Sequence, residues 1–471
     1  MTTATHHDLL VLGSGSGNSL VTPEMAGWSV GIVEEGIFGG TCLNVGCIPT
    51  KMFVLPADRV AEAHEAARID VTVEGARADW AAARDRIFGR IDPISEAGAA
   101  YRRDGEGTTL HQGRGRFVGP REVEVTAADG STTRVTADRV VIATGSRPWV
   151  PEPFARALAD GLPVHTSDTV MRIGAAPRRA LVVGGGYIAT EMAHVLSGFG
   201  AAITLVVRGP QLLRDLDPSI AIPFDAIATD RWDVRHGTTV DSLERIAGSD
   251  AVRAHLSDGT TVEIDLVLVA TGRVPNSDDL GLERAGVDTH PDGRIVVDAH
   301  GRTGTDGVWS LGDVSSPFQL KHVANAEARV VAHNLVHPDD LRSFPHDVVP
   351  AAVFGHPQIA TVGDTVAQAR ERILADGGGV DDVLAHTQAF GSTAYGWALE
   401  DTESLCTVVA DRRSGLLLGA HLMGPQASTL IQPLVQAMSF GLRAADVARG
   451  QYWIHPALTE VVENALLGLE D

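Results

Sequence analysis

Two cysteines, Cys42 and Cys47, stand five residues apart in Gly39-Gly-Thr-Cys-Leu-Asn-Val-Gly-Cys-Ile-Pro-Thr-Lys51. In a regular α-helix that spacing separates the Cα atoms by about 8–9 Å, whereas a disulfide needs less than about 7 Å. Closing one here calls for a distorted helical turn, which Gly46 permits and Pro49 would fix. A bridge strained in that way is easier to reduce. The alternatives are two inert thiols or half of a metal site. No His or Cys pair with ligand spacing lies nearby, so redox chemistry is favoured and no resident metal is expected. Cys406 has no partner in sequence and reads as a small buried hydrophobe.

A second reactive pattern is Gln451-Tyr-Trp-Ile-His455-Pro456-Ala-Leu-Thr-Glu460. Pro456 keeps His455 out of the helical conformation, so the imidazole projects before a helix begins. A carboxylate five residues on can hold one ring nitrogen and leave the other to exchange protons. Taken alone, a histidine here is more often a cap or an interface residue.

Two glycine turns complete the chemistry-bearing set. Gly13-x-Gly15 follows the apolar run Asp8-Leu-Leu-Val-Leu12, and Gly184-x-Gly186-x-x-Ala189 follows Leu181-Val-Val183. Glycine lets backbone approach a pyrophosphate, whose charge then rests on a helix N-terminus. The run Val30-Gly-Ile-Val33 ends in Glu34, a carboxylate suited to ribose hydroxyls. The sixth fingerprint position is Asn18 rather than glycine or alanine, so helix–strand packing must differ there. After the second turn, the strand at 202–207 ends in Arg208, where an NADH-preferring site would carry a carboxylate.

These residues need scaffolds. A chain of 471 residues exceeds one hydrophobic core. The net charge of −22 argues against nucleic acid or anionic membrane as partner. Met1–His7 shows no basic region followed by an apolar run, and no 18-residue apolar stretch occurs, so a reducing cytoplasm is expected. A close cysteine pair there reads as redox-active or metal-binding. Only two of the 38 basic residues are lysines, Lys51 and Lys321, which suggests a biased genome. Residues 121–141 alternate around Asp129-Gly130 as an antiparallel insertion. Beyond about Phe344, strands at 348–362, 405–409 and 416–422 suggest a mixed sheet, with helices at 365–375, 428–441 and 458–467.

The stretch Gly-Gly-Thr-Cys-Leu-Asn-Val-Gly-Cys-Ile-Pro resembles the redox signature of the flavoprotein disulfide reductases, the glutathione reductase and dihydrolipoamide dehydrogenase family. The likeness runs through essentially the whole chain. It implies an α/β protein with two doubly wound dinucleotide-binding domains plus an α+β C-terminal dimerisation domain. The expected division is 1–155 and 276–345 for FAD, 156–275 for NAD(P)H, and 346–471 for dimerisation.

By resemblance, FAD would touch Gly13, Gly15, Glu34, Thr41, Lys51, the loop Thr144-Gly145, and Asp313 at its ribityl chain. NADPH would lie on Gly184, Gly186, Gly272 and Arg273. Tyr187 would shield the nicotinamide, Glu191 would pair with Lys51, and Arg208 with Arg214 would grip the 2′-phosphate; two surface arginines are the bland alternative. Hydride would pass from NADPH to FAD and on to the Cys42–Cys47 disulfide. Cys47 would be the charge-transfer thiolate and Cys42 the interchange thiol. His455, oriented by Glu460, would serve the other subunit's disulfide, making the enzyme a homodimer with a shared active site.

The substrate would be a small-molecule disulfide. Cys-Ile-Pro-Thr-Lys-Met-Phe53, Phe88-Gly-Arg-Ile-Asp-Pro93 and Gly450-Gln-Tyr-Trp-Ile-His-Pro-Ala-Leu458 resemble the branch that reduces the disulfide of mycothiol, a sugar-linked thiol of actinobacteria. The end of the chain, 468–471, adds no cysteine pair, which counts against the thioredoxin and mercuric reductase branches. The alternatives are glutathione reductase, an NAD-dependent dihydrolipoamide dehydrogenase, against which Arg208 counts, and a flavoprotein regulator without disulfide turnover.

Overall fold

The computed structural model describes residues 5–470 as two compact units. Met1–Ala4, part of the stretch read above for a signal, and Asp471 lie outside the described residues. The first unit comprises the chain up to Thr50, Arg84–Trp149 and Gly272–His346; the second comprises Lys51–Ala83, Val150–Thr271 and the chain from Asp347.

The first unit is built on a seven-stranded sheet. Strand β1 (Thr5–Leu12) runs parallel to β2 (Val30–Glu34) on one side and to Thr132–Ile142 on the other. Because side chains alternate along a strand, β1 feeds two cores. Leu9 and Val11 pack with Ile32, Val141 and the helix residues Ala328 and Val331, while Leu10 and Leu12 pack with Val33, Phe117 and Ile142. The sequence pattern at 121–141 forms an antiparallel pair, Glu122–Thr126 with Thr132–Ile142.

The first glycine turn does not lead into an α-helix. A five-residue 3₁₀ turn, Ser16–Leu20, follows it, and Pro23 opens a second one. Proline disfavours helical conformation in the residue before it, so no helix can run on through Thr22. Close packing here belongs to Gly17, where a Cβ would come within 2.8 Å of Val11 and 2.9 Å of Ala143. Asn18 instead accepts from Arg102, through Oδ1 at 2.7 Å and its carbonyl at 3.1 Å.

The second unit holds a five-stranded parallel sheet ordered Asp233–His236, Ala202–Val207, Arg179–Val183, Leu266–Val269, Val164–Thr166. A three-stranded antiparallel sheet spans Val240–Ile264. Its C-terminal part is a further five-stranded sheet, Pro350–Val353, Ile359–Gly363, Leu417–Met423, Leu405–Asp411 and Val383–Ala389. Every pairing in it is antiparallel, which corrects the mixed sheet expected from sequence. Val383–Ala389 escaped the sequence pattern because it is an edge strand with no fully buried residue. The helix Glu460–Leu467 covers this sheet: Val461, Val462, Ala465 and Leu466 join Cys406, Val408 and Leu422 in one core. Complete burial pushes the Cys406 thiol up to about 12, which fits an inert packing role.

Candidate active site

In the first unit, helix α1 (Gly40–Asn44) ends just before the second cysteine, and α2 (Cys47–Glu65) begins on it. The break falls at Val45-Gly46, the distorted turn that the spacing demanded. A Cβ on Gly46 would sit 2.9 Å from the Thr41 carbonyl oxygen, so only glycine fits without displacing backbone. Pro49 lies in the first turn of α2, where a missing N–H costs no helical hydrogen bond.

The two cysteine side chains share a hydrogen bond. That bond lowers the Cys42 thiol from 9.0 to about 7, against the opposing effect of burial. Lys321 and the backbone N–H groups of Ile48 and Cys47 add to the lowering. Cys47 donates to Cys42, so its own proton is held far above neutrality. The shared hydrogen bond thus favours one thiolate on the pair and opposes loss of the second proton. The helix N-terminus of α2 is a favourable place for that single negative charge.

The first glycine turn forms a floor of bare backbone. Gly13 has φ +104°, and a Cβ there would lie 2.4 Å from the Ala143 carbonyl oxygen. Gly40 crosses so close to Gly15 that its Cβ would meet the Gly15 Cα at 2.6 Å. Glu34 stands over this floor, its Oε2 accepting from Ser14 N at 3.0 Å and Ser14 Oγ at 2.6 Å. Thr41 is exposed beside it. The loop Thr144-Gly145 is pinned by Asn276, which accepts from Thr144 Oγ at 2.8 Å and donates to the Thr144 carbonyl at 2.9 Å. At Gly145, φ +69°, nothing lies within 4 Å of a Cβ position. Asp313 accepts from Ser146 Oγ at 2.8 Å. Bare backbone for phosphate and two fixed carboxylates for hydroxyls fit a flavin dinucleotide.

Arg273, expected to contact NADPH, makes two hydrogen bonds within the first unit. Its guanidinium donates to Ser146, from Nε to Oγ at 2.9 Å and from NH2 to the carbonyl at 2.7 Å. It and Gly272 belong to the first unit, where Arg273 braces the serine that holds Asp313. The physical reason is the short pair of strands Arg273–Pro275 and Ser146–Pro148, which brings the two residues together.

In the second unit, Gly184 has φ +131° and a Cβ there would strike the Ala270 carbonyl at 2.2 Å. Gly186 caps the twelve-residue helix Tyr187–Gly198 and has open space where a Cβ would be. A second pyrophosphate fits this turn. Tyr187 is half-buried, and burial pushes its hydroxyl above the ordinary tyrosine range. Glu191 accepts from Phe354 N at 2.8 Å, and the Lys51 ammonium sits 4.1 Å over the Phe354 ring. Burial lowers the Lys51 pKa, opposed by the charges of Asp58 and Glu191. Arg208 is exposed at the end of Ala202–Val207, and Arg214 lies alongside Gly209 with Asp215 at 3.6 Å.

Also in this unit, His455 Nδ1 faces Glu460 Oε1 at 2.7 Å, while Oε2 accepts from Ala457 N at 3.2 Å. The His455 side chain is 70% exposed, which leaves Nε2 accessible. The hydrogen bond from His455 holds Glu460 below the usual carboxylate range. Tyr452, Ile454 and Phe440 are exposed apolar side chains in the same part of the chain. Sequence reasoning passed over two features: Lys321, whose ammonium donates to Ser16 just after the first glycine turn, and a buried chain linking Asp58, His194 and Arg231. The scarcity of lysine was the available signal for the first; the second has no motif.

Residues 7–328 match the family described as Pyridine nucleotide-disulphide oxidoreductase, and residues 349–466 match its dimerisation domain. Mycothione reductase of Mycobacterium tuberculosis is 50% identical over 475 residues, covering 98% of this chain and 99% of that one. Glutathione reductase of Burkholderia cepacia is 33% identical over 461 residues, covering 96% and 97%. Among solved structures, the Escherichia coli flavoprotein disulfide reductase RclA superposes with a TM-score of 0.83 at 24% identity, covering 98% of this chain and 99% of that one. The α/β dinucleotide-binding architecture, the paired cysteines and these matches lead to one conclusion: the chain belongs to the pyridine nucleotide-disulphide oxidoreductases and carries that family's dimerisation domain.

Proposed function

We propose that this enzyme uses FAD and NADPH to reduce mycothione, the disulfide of mycothiol, to two thiols in the cytoplasm. The observation that carries the reductase reading is the Cys42–Cys47 pair, set on either side of the break between α1 and α2, with the Cys42 thiol lowered by its hydrogen bond to Cys47. The substrate branch is supported by the 50% identity to a mycothione reductase along the full length of both chains. We also infer the division 1–155, 156–275, 276–345 and 346–471 into flavin, nicotinamide, flavin and dimerisation segments.

When bound, flavin and nicotinamide supply the two electrons that open the Cys42–Cys47 bridge. Cys42 then attacks one sulfur of the substrate and forms a mixed disulfide, releasing the first thiolate. The partner subunit's His455 gives that thiolate a proton. Within each chain, Glu460 holds Nδ1 of the ring so that Nε2 is the exchanging nitrogen. Cys47 gives up its proton and attacks Cys42, which releases the second thiol and restores the bridge. Arg208 and Arg214 offer guanidinium forks to a 2′-phosphate. Glu34 receives ribose hydroxyls, Asp313 the ribityl chain, and Arg273 positions Asp313 through Ser146.

The test is NADPH consumption by the purified protein, with mycothione and glutathione disulfide assayed in parallel. Turnover with mycothione alone is expected. Reduction of the flavin by NADPH with no turnover of either disulfide would overturn the substrate assignment.

A further inference from the structure

Lys51, Asp58 and Glu65 follow one another at intervals of seven along α2, and a period of about 3.6 puts them on one face of the helix. All three belong to the second unit and meet side chains of that same unit. The Lys51 Nζ lies 4.1 Å from the centroid of the Phe354 ring. Asp58 Oδ1 faces His194 Nε2 at 2.8 Å, and Glu65 Oε1 faces His356 Nε2 at 2.7 Å. Phe354 and His356 lie in the short segment between the strands Pro350–Val353 and Ile359–Gly363. Polar contacts fix that segment at both residues. The Phe354 N–H donates to Glu191 Oε1 at 2.8 Å. Arg231 donates to the His356 carbonyl at 3.3 Å, and the His356 ring stacks on His194 with centroids 6.0 Å apart.

We propose that Phe354 is a positioning residue for Lys51 and Glu191, its ring face seating the lysine ammonium and its backbone N–H seating the glutamate carboxylate. The inference rests on the disulfide reductase reading above, in which these two charges serve the flavin and the nicotinamide. The negative face of an aromatic ring attracts a cation within about 6 Å of its centroid, more strongly where water is partly excluded. Lys51 is half-buried, and burial favours its neutral amine. Asp58 on its own helix and Glu191 on the helix Tyr187–Gly198 oppose that by charge, while His356 of the Phe354 segment is engaged with Glu65. The ring adds a third support for the ammonium, and a directional one. A carboxylate attracts a cation from any side, whereas a ring face admits it along one axis. Glu191 in turn cannot swing away without breaking the bond from Phe354 N. One residue thereby fixes the direction of both charges.

The test uses the flavin-bound enzyme, grown with lysine isotope-labelled at Cε, and its Phe354→Leu, Phe354→Met and Phe354→Tyr variants. The chain holds only Lys51 and Lys321, so NMR shows two lysine signals, and Lys321→Arg identifies that of Lys51. Titration upward from neutral pH reads the Lys51 midpoint. Loss of the ring face should lower it by about half a pH unit to one unit, while Phe354→Tyr should keep the wild-type value. The backbone N–H stays in every variant, so the comparison isolates the ring. In stopped flow, Phe354→Leu should slow flavin reduction by NADPH several-fold with little change in half-saturation, and Phe354→Tyr should restore the rate. If Phe354→Leu fails to fold, Phe354→Met, which fills similar space without a π face, reports the same changes. An unchanged midpoint or an unchanged rate in the ringless variant, or an equal loss in Phe354→Tyr, would overturn the assignment. The midpoint is read without turnover, so failure of NADPH to reduce the wild-type flavin would count separately, against the functional reading.

Discussion

Replacing Cys47 tests the origin of Cys42 reactivity most directly. Its hydrogen bond is the largest influence lowering the Cys42 thiol from 9.0 to about 7. A thiol with a pKa near 7 is half ionised at neutral pH, whereas one near 9 is ionised in about one molecule per hundred. A shift across that range is worth about fiftyfold in thiolate population. Cys47→Ala removes the donor but leaves Lys321 and the backbone N–H groups of Cys47 and Ile48 in place. Burial, which raises the thiol, is then opposed only by these weaker influences, so the expected midpoint rises by about one pH unit or more above wild type. Cys47→Ser keeps an O–H donor and should hold the midpoint within a few tenths of a unit. The assay is iodoacetamide alkylation of Cys42 as a function of pH. The midpoint is the quantity to read, because a more basic thiolate is intrinsically more nucleophilic and partly masks a rate change. A Cys47→Ala midpoint that stays near 7 would refute the reasoning and transfer the effect to the α2 N-terminus and Lys321.

Three other outcomes follow from the geometry. Glu460→Gln should lower turnover about ten- to a hundredfold while leaving flavin content and Cys42 alkylation unchanged, because the side chain bonds only the His455 ring and Ala457 N and an amide oxygen can still accept from the latter. Arg208→Ala combined with Arg214→Ala should raise KM for NADPH about tenfold or more and leave KM for NADH in place; equal changes for both nucleotides would exclude a 2′-phosphate contact. Gly13→Ala must place a Cβ 2.4 Å from a backbone oxygen at φ +104°, so the purified protein should lose its yellow colour or fail to fold.

What sequence disclosed best was chemistry confined to a few consecutive residues. The five-residue cysteine spacing implied a broken turn, and Val45-Gly46 supplies it. His455 and Glu460 are likewise close enough in the chain for their pairing to be inferred. Long-range contacts were less legible. Arg273 sits four residues past Val269, at the end of a parallel strand, yet strand pairing sends its guanidinium to Ser146, 127 residues earlier. The first glycine motif promised an α-helix, but Pro23 stops one and Gly17, not the sixth position, takes the tight contact. Lys321 belongs to no motif; only folding brings it to Ser16, 305 residues away.

Glu460 is both the residue that grips the imidazole and the opening residue of a helix whose next two side chains, Val461 and Val462, are fully buried against the C-terminal sheet. On the proposed mechanism, proton delivery is therefore mechanically tethered to a hydrophobic core that has no part in the chemistry. Trimming Val461 or Val462 would let the helix drift by a fraction of an ångström, enough to lengthen a 2.7 Å contact. Such a lesion would masquerade as a catalytic defect, leaving a folded, coloured, dimeric protein that turns over slowly. Selection on turnover would consequently police packing at these valines more stringently than selection on folding alone.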